Sequence, residues 1–310
     1  MNEQLIEKIR QLKAERNAVI LAHNYQPGEV QDIADFTGDS LALSIKAAAT
    51  DAEVIVFCGV KFMAETAAIL SPGKTVLLPD KNAGCPMADM ITGEQLRELK
   101  RKNPGALVVC YVNSSAEVKA ESDYCCTSAN AVEVVESLPK DSKIIFVPDQ
   151  HLGRFVVEKT GRDMILWPGY CPTHAFITED DVKKAREAHP GAVVMAHPEC
   201  NEPVKAVSDK LLSTGQMLKF AKQSDAKQFI IATETGIIHS LKKENPGKEF
   251  YPVTNRALCP NMKRITLDKV LWSLEDMHYK ITVPADIAAR AKQSLEKMVA
   301  ILPAGEKMRK

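Results

Sequence analysis

The stretch Tyr170-Cys171-Pro172-Thr173-His174 follows a short apolar run, Met164-Ile165-Leu166-Trp167, and it has two counterparts in the chain. They are Gly84-Cys85-Pro86 and Leu258-Cys259-Pro260, and each also lies just past a strand-like segment. The three cysteines are 86 and 88 residues apart. With eight cysteines and proline at about 5% of an average sequence, chance gives about 0.4 Cys-Pro pairs. Three evenly spaced pairs therefore require a cause, and we interpret them as one site built by three similar modules.

The composition indicates a globular chain and argues against several classes of partner. The chain has 310 residues, of which 45% are hydrophobic, enough for one large domain or two to three small ones. Its 40 basic and 40 acidic residues balance, and no basic stretch predominates, so we expect no nucleic-acid partner. Its apolar runs are shorter than the roughly 18 residues that a membrane span needs. The first 17 residues read as an amphipathic helix rather than an export signal, so eight cysteines predict a reduced, cytoplasmic setting.

Residues 17–25, 105–113 and 191–199 align without gaps, and each is an apolar strand that ends in polar side chains. The shared positions hold His23, Tyr111 and His197 at the strand end, then Tyr25, Asn113 and Glu199 two residues later, and finally Ser40, Ser128 and Thr214, each 17 residues after the first group. The last three open predicted helices at residues 41–49, 129–137 and 216–223.

Each copy continues with a second strand, a helix and a third strand that leads to its Cys-Pro pair. Connecting helices then begin at Thr92, Thr178 and Thr266, where threonine is a favourable N-cap. Alternating strands and helices predict a parallel sheet covered by helices on both faces. We therefore expect an α/β fold of three pseudo-threefold related, three-layer α/β/α modules, each with a small three-stranded parallel sheet. The expected modules are residues 1–90, 91–176 and 177–265, with C-terminal helices at 266–310 packing back on the first.

In parallel α/β units, ligands bind beyond the carboxyl ends of the strands. Every shared polar position lies at such an end, so three modules that face one point would form a central cavity. Asp149-Gln150-His151 and Thr233-Glu234-Thr235 end the middle strands of their copies and either line this cavity or cap turns.

Cys85, Cys171 and Cys259 have two possible metal chemistries. Three thiolates bind a structural zinc ion only with a fourth ligand, and they also fit a 4Fe–4S cluster with one iron left open as a Lewis acid. The ordinary alternative is that they are small buried apolar residues. We favour that alternative for the cysteines that break the register or lie in strands, namely Cys58, Cys110, Cys125 and Cys126. We assign no role to Cys200, which follows Glu199 directly.

The remaining shared residues suit anion binding and proton transfer. Free N–H groups at helix N-termini attract anions, and Ser40, Ser128 and Thr214 each add a hydroxyl there, although simple N-capping is the ordinary alternative. The candidates for acid–base work are His23, Tyr25, His197 and Glu199. His174, three residues after Cys171, is a candidate to bond a sulfur atom or a substrate carboxylate.

Several motifs resemble those of the quinolinate synthase family, bacterial and archaeal enzymes of NAD biosynthesis, over essentially the whole chain. The motifs are Ala22-His23-Asn24-Tyr25-Gln26, Gly38-Asp39-Ser40, Tyr111-Val112-Asn113-Ser114, Pro148-Asp149-Gln150-His151-Leu152-Gly153, Gly169-Tyr170-Cys171-Pro172-Thr173-His174, His197-Pro198-Glu199-Cys200, Ser213-Thr214-Gly215 and Thr233-Glu234-Thr235-Gly236. The resemblance implies a 4Fe–4S cluster on Cys85, Cys171 and Cys259.

The resemblance also implies the reaction, in which iminoaspartate (iminosuccinate) condenses with dihydroxyacetone phosphate, losing phosphate and water, to give quinolinate. The substrate contacts it implies are His23, Ser40, Tyr111, Asn113, Ser128, His197, Glu199 and Thr214, and Tyr25 matches a residue that closes over the substrate. The enzyme that makes iminoaspartate is an expected transient partner. The alternatives are another 4Fe–4S-dependent hydro-lyase and a non-catalytic metal-binding protein, which would not need these polar pairs at its strand ends.

Overall fold

The computed structural model describes residues 2–303, so the end of the predicted C-terminal helical segment, residues 304–310, lies outside the described part. Three parallel sheets of four strands form the fold. The first contains β1 (Ala18–His23), β2 (Phe36–Gly38), β3 (Val54–Cys58) and β4 (Thr75–Leu77); the second β5 (Leu107–Tyr111), β6 (Tyr124–Cys126), β7 (Ile144–Val147) and β8 (Met164–Leu166); the third β9 (Val193–Ala196), β10 (Lys210–Leu211), β11 (Gln228–Ala232) and β12 (Glu249–Pro252).

The three sheets share one strand order, which is β2-β1-β3-β4 in the first, β6-β5-β7-β8 in the second and β10-β9-β11-β12 in the third. Within each sheet all pairings are parallel, as right-handed strand–helix–strand units predict. The central strands are apolar, often β-branched runs, and β3 is buried along its whole length. The predicted α/β class is confirmed, and so is the prediction of three similar parallel sheets flanked by helices.

The prediction of three strands in each sheet was wrong, because a short edge strand precedes each polar position at Ser40, Ser128 and Thr214. These strands, β2, β6 and β10, have only two or three residues, too few for a period-2 pattern. An aspartate before each one accepts a hydrogen bond from the backbone of the central strand: Asp35 from Ile20 N, Asp123 from Val108 N and Asp209 from Val194 N, at 2.7–2.8 Å. Those aspartates are 88 and 86 residues apart, a repeat that would have located the edge strands.

Helices cover both faces of the sheets. They are α1 (Asn2–Glu15), α2 (Gly28–Ile33), α3 (Ser40–Ala49), α4 (Lys61–Leu70), α5 (Gly93–Lys102), α6 (Ala116–Ala120), α7 (Ala131–Glu136), α8 (Gln150–Thr160), α9 (Pro172–Ala175), α10 (Glu179–Ala188), α11 (Glu202–Ala206), α12 (Thr214–Gln223), α13 (Ile237–Glu244), α14 (Leu267–Asp276) and α15 (Ala285–Ala300), with a 3₁₀ turn at Met262–Arg264. No helix within residues 2–303 is both long and apolar enough to cross a bilayer.

The three predicted threonine N-caps begin the expected connecting helices. Thr92 and Thr178 each accept a hydrogen bond from the third helical residue in a full capping box. Thr266 precedes α14 without a side-chain cap bond. Helix α14 then packs on α1, whereas α15 packs on α6, β6 and α4. Helix α15 therefore contacts elements around both the first and the second sheet.

The apolar core is divided unevenly among the three sheets. One continuous cluster of buried side chains includes the first sheet, the second sheet and both C-terminal helices. The third sheet has two buried clusters of its own, one on each face. Tyr25 packs against both the large cluster and one cluster of the third sheet, so it lies at the boundary between them.

Candidate active site

One cavity of about 190 Å³ lies where the carboxyl ends of all three sheets meet. It collects the thirteen residues that the sequence analysis assigned to the site. The lining includes His23, Tyr25, Ser40, Cys85, Tyr111, Asn113, Ser128, Cys171, His174, His197, Glu199, Thr214 and Cys259. The predicted convergence on a central cavity is therefore observed, since these side chains come from strands far apart in the chain.

His23 and His197 follow the central strands of their sheets, and the same local turn fixes both rings. The backbone N–H two residues later donates to Nδ1 in each case, from Tyr25 to His23 and from Glu199 to His197, both at 3.2 Å. Because Nδ1 accepts a hydrogen bond, the neutral ring carries its hydrogen on Nε2. His197 Nε2 lies 3.1 Å from Ser128 Oγ and donates to it. Both rings are thus neutral N–H donors on the cavity wall.

The buried setting keeps these two imidazoles uncharged. Burial, and next the neighbouring His197, lower the pKa of His23 to about 3. Burial likewise lowers the pKa of His197 to about 3, although the Glu199 carboxylate opposes the shift. At neutral pH in the free protein, both rings therefore donate hydrogen bonds rather than supply positive charge.

Glu199 is a buried carboxylate at the centre of the cavity. Its Oε1 accepts a hydrogen bond from the Tyr111 hydroxyl at 2.5 Å and a longer one from Asn113 Nδ2 at 3.4 Å. Its Oε2 lies 2.7 Å from His174 Nδ1. Burial favours the protonated acid, but the neighbouring His174 and the hydrogen bond from Tyr111 outweigh burial and hold the pKa of Glu199 below its usual value. The group is therefore an ionised carboxylate held by donors.

A chain of close polar contacts connects Tyr25 to this carboxylate, and its last link, between His174 Nδ1 and Glu199 Oε2, is close but not aligned as a hydrogen bond. The Tyr25 hydroxyl lies 2.6 Å from Thr233 Oγ1, which lies 2.7 Å from His174 Nε2. A carboxylate can only accept, so His174 Nδ1 carries the ring hydrogen and Nε2 accepts from Thr233. Burial raises the pKa of both Tyr25 and Tyr111, so both hydroxyls keep their protons. Thr233 and His174 therefore lie between the Tyr25 hydroxyl and the Glu199 carboxylate.

The sequence left two roles possible for residues 149–151 and 233–235, either lining the cavity or capping turns. The structure shows the contacts of three of these six residues clearly. Thr233 is buried and completes the chain of contacts from Tyr25 to Glu199, although it does not itself line the cavity. Glu234 does line the cavity. Asp149 instead N-caps α8 by accepting a hydrogen bond from Leu152 N at 2.7 Å. Nothing in the repeat register marked Thr233, because its partners belong to other sheets.

Two of the three predicted helix N-termini face the cavity. Helix α3 begins at Ser40 behind the N-cap Asp39, and α12 begins at Thr214 behind a capping box on Ser213. Asn24 Nδ2 donates to Thr214 Oγ1 at 3.0 Å, so the first sheet contacts the start of α12 directly.

The third prediction, a helix opened by Ser128, was wrong, because α7 begins only at Ala131. Asn130 Oδ1 accepts a hydrogen bond from Thr127 N at 2.8 Å, which forms a tight turn around Ser128. Asn130 Nδ2 is bound to the backbone carbonyls at the end of α15, Met298 O and Ile301 O. Ser128 still lines the cavity, and its hydroxyl is placed by a turn and by His197 rather than by a helix start.

The cavity wall offers donors without lysine or arginine. Among the described residues that line it, the basic side chains are the histidines, and burial keeps His23 and His197 neutral. Hydroxyls, imidazole N–H groups and two helix starts remain as donors. Such groups stabilise anions through hydrogen bonds and helix dipoles.

The three Cys-Pro loops share one geometry around the sulfur. Proline has no N–H, so the first free backbone donors come two or three residues after each cysteine. Burial raises the pKa of each thiol, and nearby backbone N–H groups oppose that shift: Met87 and Ala88 for Cys85, His174 for Cys171, and Asn261 and Met262 for Cys259. Cys171 stands at the N-cap position of α9, although its side chain accepts no capping hydrogen bond there.

The donor set of these loops suits a metal cofactor. Burial raises the pKa of all three thiols, that of Cys85 to about 12, so a thiolate there needs a positive partner. All three are partly exposed toward the cavity, whereas the other five cysteines are buried and free, as expected for small apolar residues. Cys171, His174 and Glu199 also offer ligand atoms within 4.8 Å of one another. The residues present are compatible with a metal cofactor.

Comparison with known proteins agrees with this architecture. The family described as quinolinate synthetase A protein matches residues 7–300. A quinolinate synthase of Dehalococcoides mccartyi (strain CBDB1) is 58% identical over 300 residues, which cover 97% of this chain and 99% of the relative. A quinolinate synthase of the archaeon Methanosarcina barkeri is 55% identical, covering 96% and 98%. One of Geotalea uraniireducens is 54% identical, with the same coverage. The chain therefore belongs to the quinolinate synthetase A protein family.

Proposed function

We propose that this protein is an enzyme of NAD biosynthesis that condenses iminoaspartate with dihydroxyacetone phosphate and releases phosphate and water to form quinolinate. Full-length similarity to quinolinate synthases supports this proposal. The observation that carries it is the convergence of three Cys-Pro loops and an ionised Glu199 with its donors on one cavity. The cytoplasm, where both substrates would be available, is the proposed location.

Substrate binding would use the neutral donors of the cavity wall. The two substrates together carry two carboxylates and one phosphate, and the wall offers the starts of α3 and α12 with Ser40 and Thr214. Ser128 and the Nε2–H groups of His23 and His197 add further donors, and Tyr111 and Asn113 flank the carboxylate of Glu199. We assign anion binding to these residues because a buried anion needs several aligned donors.

Proton transfer would centre on Glu199. Its ionised carboxylate can accept a proton from the carbon that forms the new bond, and it becomes a stronger base when bound substrate takes over some of the donors that lower its pKa. Tyr25 would give its hydroxyl proton to a departing hydroxyl group, and the proton that Glu199 has taken up would then restore it through a relay of His174 and Thr233, with a change of the His174 tautomer. We assign Glu199 as the base, Tyr25 as the acid, and His23 and His197 as donors that polarise substrate oxygens.

We propose that Cys85, Cys171 and Cys259 hold a 4Fe–4S cluster that keeps one iron open to substrate. When bound, such a cluster supplies a Lewis acid that favours loss of a hydroxyl group during dehydration. The convergence of these three partly exposed cysteines on one cavity supports this assignment, because a cluster needs several thiolates that face one point.

We also retain residues 1–90, 91–176 and 177–265 as three structural modules, with the helices from residue 266 onward joined to the first. Each proposed module contains one complete sheet. An imine hydrolyses readily in water, so a transient hand-over from the enzyme that makes iminoaspartate would protect the substrate.

The test is the iron and sulfide content and the visible spectrum of protein purified without oxygen. We expect a brown protein with about four iron and four sulfide ions per chain, lost in Cys85→Ala, Cys171→Ala and Cys259→Ala. Cys200→Ala is the matched control, because that buried thiol lies outside the cavity lining, and it should keep the cluster. Quinolinate formation from both substrates then tests the reaction.

Two other results would point elsewhere. A brown protein that does not consume dihydroxyacetone phosphate would indicate a cluster-dependent hydro-lyase. A colourless anaerobic protein with one zinc ion would instead favour single-ion ligation by Cys171, His174 and Glu199, whose ligand atoms are close enough for such a site.

A further inference from the structure

The loop that carries Tyr25 is held by side chains from outside it at three successive backbone carbonyls. Gln31 Nε2 donates to Asn24 O at 3.1 Å and to Gln26 O at 2.8 Å. Lys263 Nζ donates to the carbonyl between them, Tyr25 O. Backbone carbonyls of a loop are usually satisfied by solvent or by secondary structure, so three in a row held by side chains indicate a fixed conformation.

Gln31 joins this loop to the third sheet. It is buried on α2, and its Nε2 also lies 2.9 Å from Gly236 O, so the two amide hydrogens are shared among three carbonyl oxygens. Its Oε1 accepts a hydrogen bond from Ser240 Oγ at 2.6 Å. Gly236 and Ser240 belong to the start of α13 and to α13 itself, so one buried amide connects the Tyr25 loop with a helix of the third sheet.

Lys263 and Glu234 form a second connection, which reaches the third cysteine loop. Lys263 Nζ lies 2.8 Å from Glu234 Oε1, and the Glu234 side chain is fully buried. Glu234 Oε1 also accepts a hydrogen bond from Cys259 N at 3.1 Å, and Oε2 accepts one from Gly236 N at 2.7 Å. The buried carboxylate is thus satisfied by one ammonium group and two backbone donors, as a buried charge requires.

Gly236 is an independent sign that this contact is specific. Its φ of −61° and ψ of −27° are ordinary helical values, so no backbone conformation requires a glycine there. A Cβ atom at this position would lie 2.7 Å from Lys263 Nζ, 2.7 Å from Tyr25 O and 2.8 Å from Glu234 Oε2. A glycine therefore permits the close approach of all three groups.

We propose that Gln31 and Lys263 are positioning residues that hold the Tyr25 loop against the third sheet and so keep the Tyr25 hydroxyl in contact with Thr233. Glu234 connects this latch to the backbone of the Cys259 loop. The third sheet has separate apolar clusters, so these polar contacts help to set its position relative to Tyr25. The catalytic consequence rests on the proposed function, whereas the structural consequence does not.

The kinetic test is Lys263→Met, with Lys243→Met as the matched control. Lys243 Nζ pairs with Asp32 at 2.6 Å and so also joins α13 to α2, but it contacts neither Tyr25 nor Glu234. We expect Lys263→Met to lower kcat roughly a hundredfold, the order of loss that a misplacement of about 1 Å causes. Lys243→Met should keep kcat within about twofold, as expected for an exposed ion pair.

A double variant separates positioning from general damage. If Lys263 acts through Tyr25, Tyr25→Phe/Lys263→Met should be no slower than Tyr25→Phe alone, because the two changes remove one function. Multiplying losses in the double variant would overturn the proposal.

Hydrogen–deuterium exchange of the peptide 24–31 in cluster-free protein tests the latch without any activity. Exchange should be at least about tenfold faster in Lys263→Met and in Gln31→Met than in wild type, and unchanged in Lys243→Met. Glu234→Gln/Lys263→Met, which leaves no unpaired buried carboxylate, serves if Lys263→Met fails to fold. Wild-type exchange in the folded variants would refute the latch, whereas inactive wild-type protein with the expected exchange would refute the proposed function alone.

Discussion

Thr233 is the residue on which the relay depends, and replacing it with valine is the sharpest perturbation of the site. Valine has nearly the same shape but puts a methyl group where Oγ1 accepts from Tyr25 and donates to His174. Thr233 is fully buried, so water cannot replace the lost hydroxyl without a rearrangement. The change removes one link and leaves both ends of the relay in place.

The expected size of the effect follows from these contacts. Two buried polar groups lose a partner, and each costs about 1–3 kcal/mol, so the free energy of unfolding should fall by about 2–6 kcal/mol. Proton transfer by a positioned group contributes about 10²–10⁴ in rate, so kcat should fall by about that factor. Because Thr233 is not one of the proposed cluster ligands, iron content should stay at the wild-type level.

The assay combines anaerobic steady-state kinetics, iron content and denaturant unfolding of the cluster-free protein. Thr233→Ser keeps the hydroxyl and should recover kcat to within about tenfold of wild type, since only a methyl group is lost. Thr235→Val is the matched control, because Thr235 lies outside the relay and its backbone N–H donates to Ala257 O. Near-normal kcat in folded, cluster-loaded Thr233→Val would refute the relay.

Three further outcomes follow from the site. Glu199→Gln should lower kcat by about 10²–10⁴ at unchanged iron content, because the amide cannot accept the substrate proton; anaerobic kinetics with iron analysis checks this. Burial lowers the pKa of His23 and His197 to about 3 in the folded protein, whereas an unfolded histidine has a pKa of about 6.5. Below pH 6.5 the unfolded chain therefore binds more protons than the folded one. The free energy of unfolding should then fall by about 1.4 kcal/mol per pH unit for each ring. His197→Asn should remove one ring's share, measured as a shallower pH slope of the unfolding free energy between about pH 6 and 4.5. Because the described lining has no lysine or arginine, KM for dihydroxyacetone phosphate should change less than about twofold between about 0.05 and 0.5 M KCl in initial-rate assays.

The repeat in the sequence was sufficient to predict positions within each sheet. The cysteines and the strand-end pairs recur at intervals of 86 and 88 residues, and a fixed place in a parallel sheet is a fixed place at its carboxyl end. That is why thirteen predicted residues line one cavity. The same reasoning failed for the helix that Ser128 was expected to open, because α7 begins only at Ala131. There the Asn130 amide binds the end of α15, a contact between segments about 170 residues apart.

Contacts between sheets could not be read from such a register. Tyr25 follows β1 of the first sheet, Thr233 follows β11 of the third, and His174 follows β8 of the second. Glu199 follows β9 of the third sheet, and Tyr111 ends β5 of the second. Every contact along this chain of five residues therefore joins two different sheets. A threefold sequence repeat predicts the position of each residue along the strands of its own sheet. It does not predict which residue of another sheet that side chain contacts across the cavity.

This alternation has a consequence for catalysis. Each contact of this chain joins side chains from two different sheets, at distances of 2.5–2.7 Å. The proposed proton path therefore exists only while the three sheets keep these positions relative to one another. The first two sheets share a continuous apolar core, whereas the third does not. The contact between Tyr25 and Thr233 is the one step of this path that joins the third sheet to the first, whereas the other three steps join it to the second. Gln31 and Lys263 lie beside that step, so substitutions there should reduce proton transfer before they reduce folding.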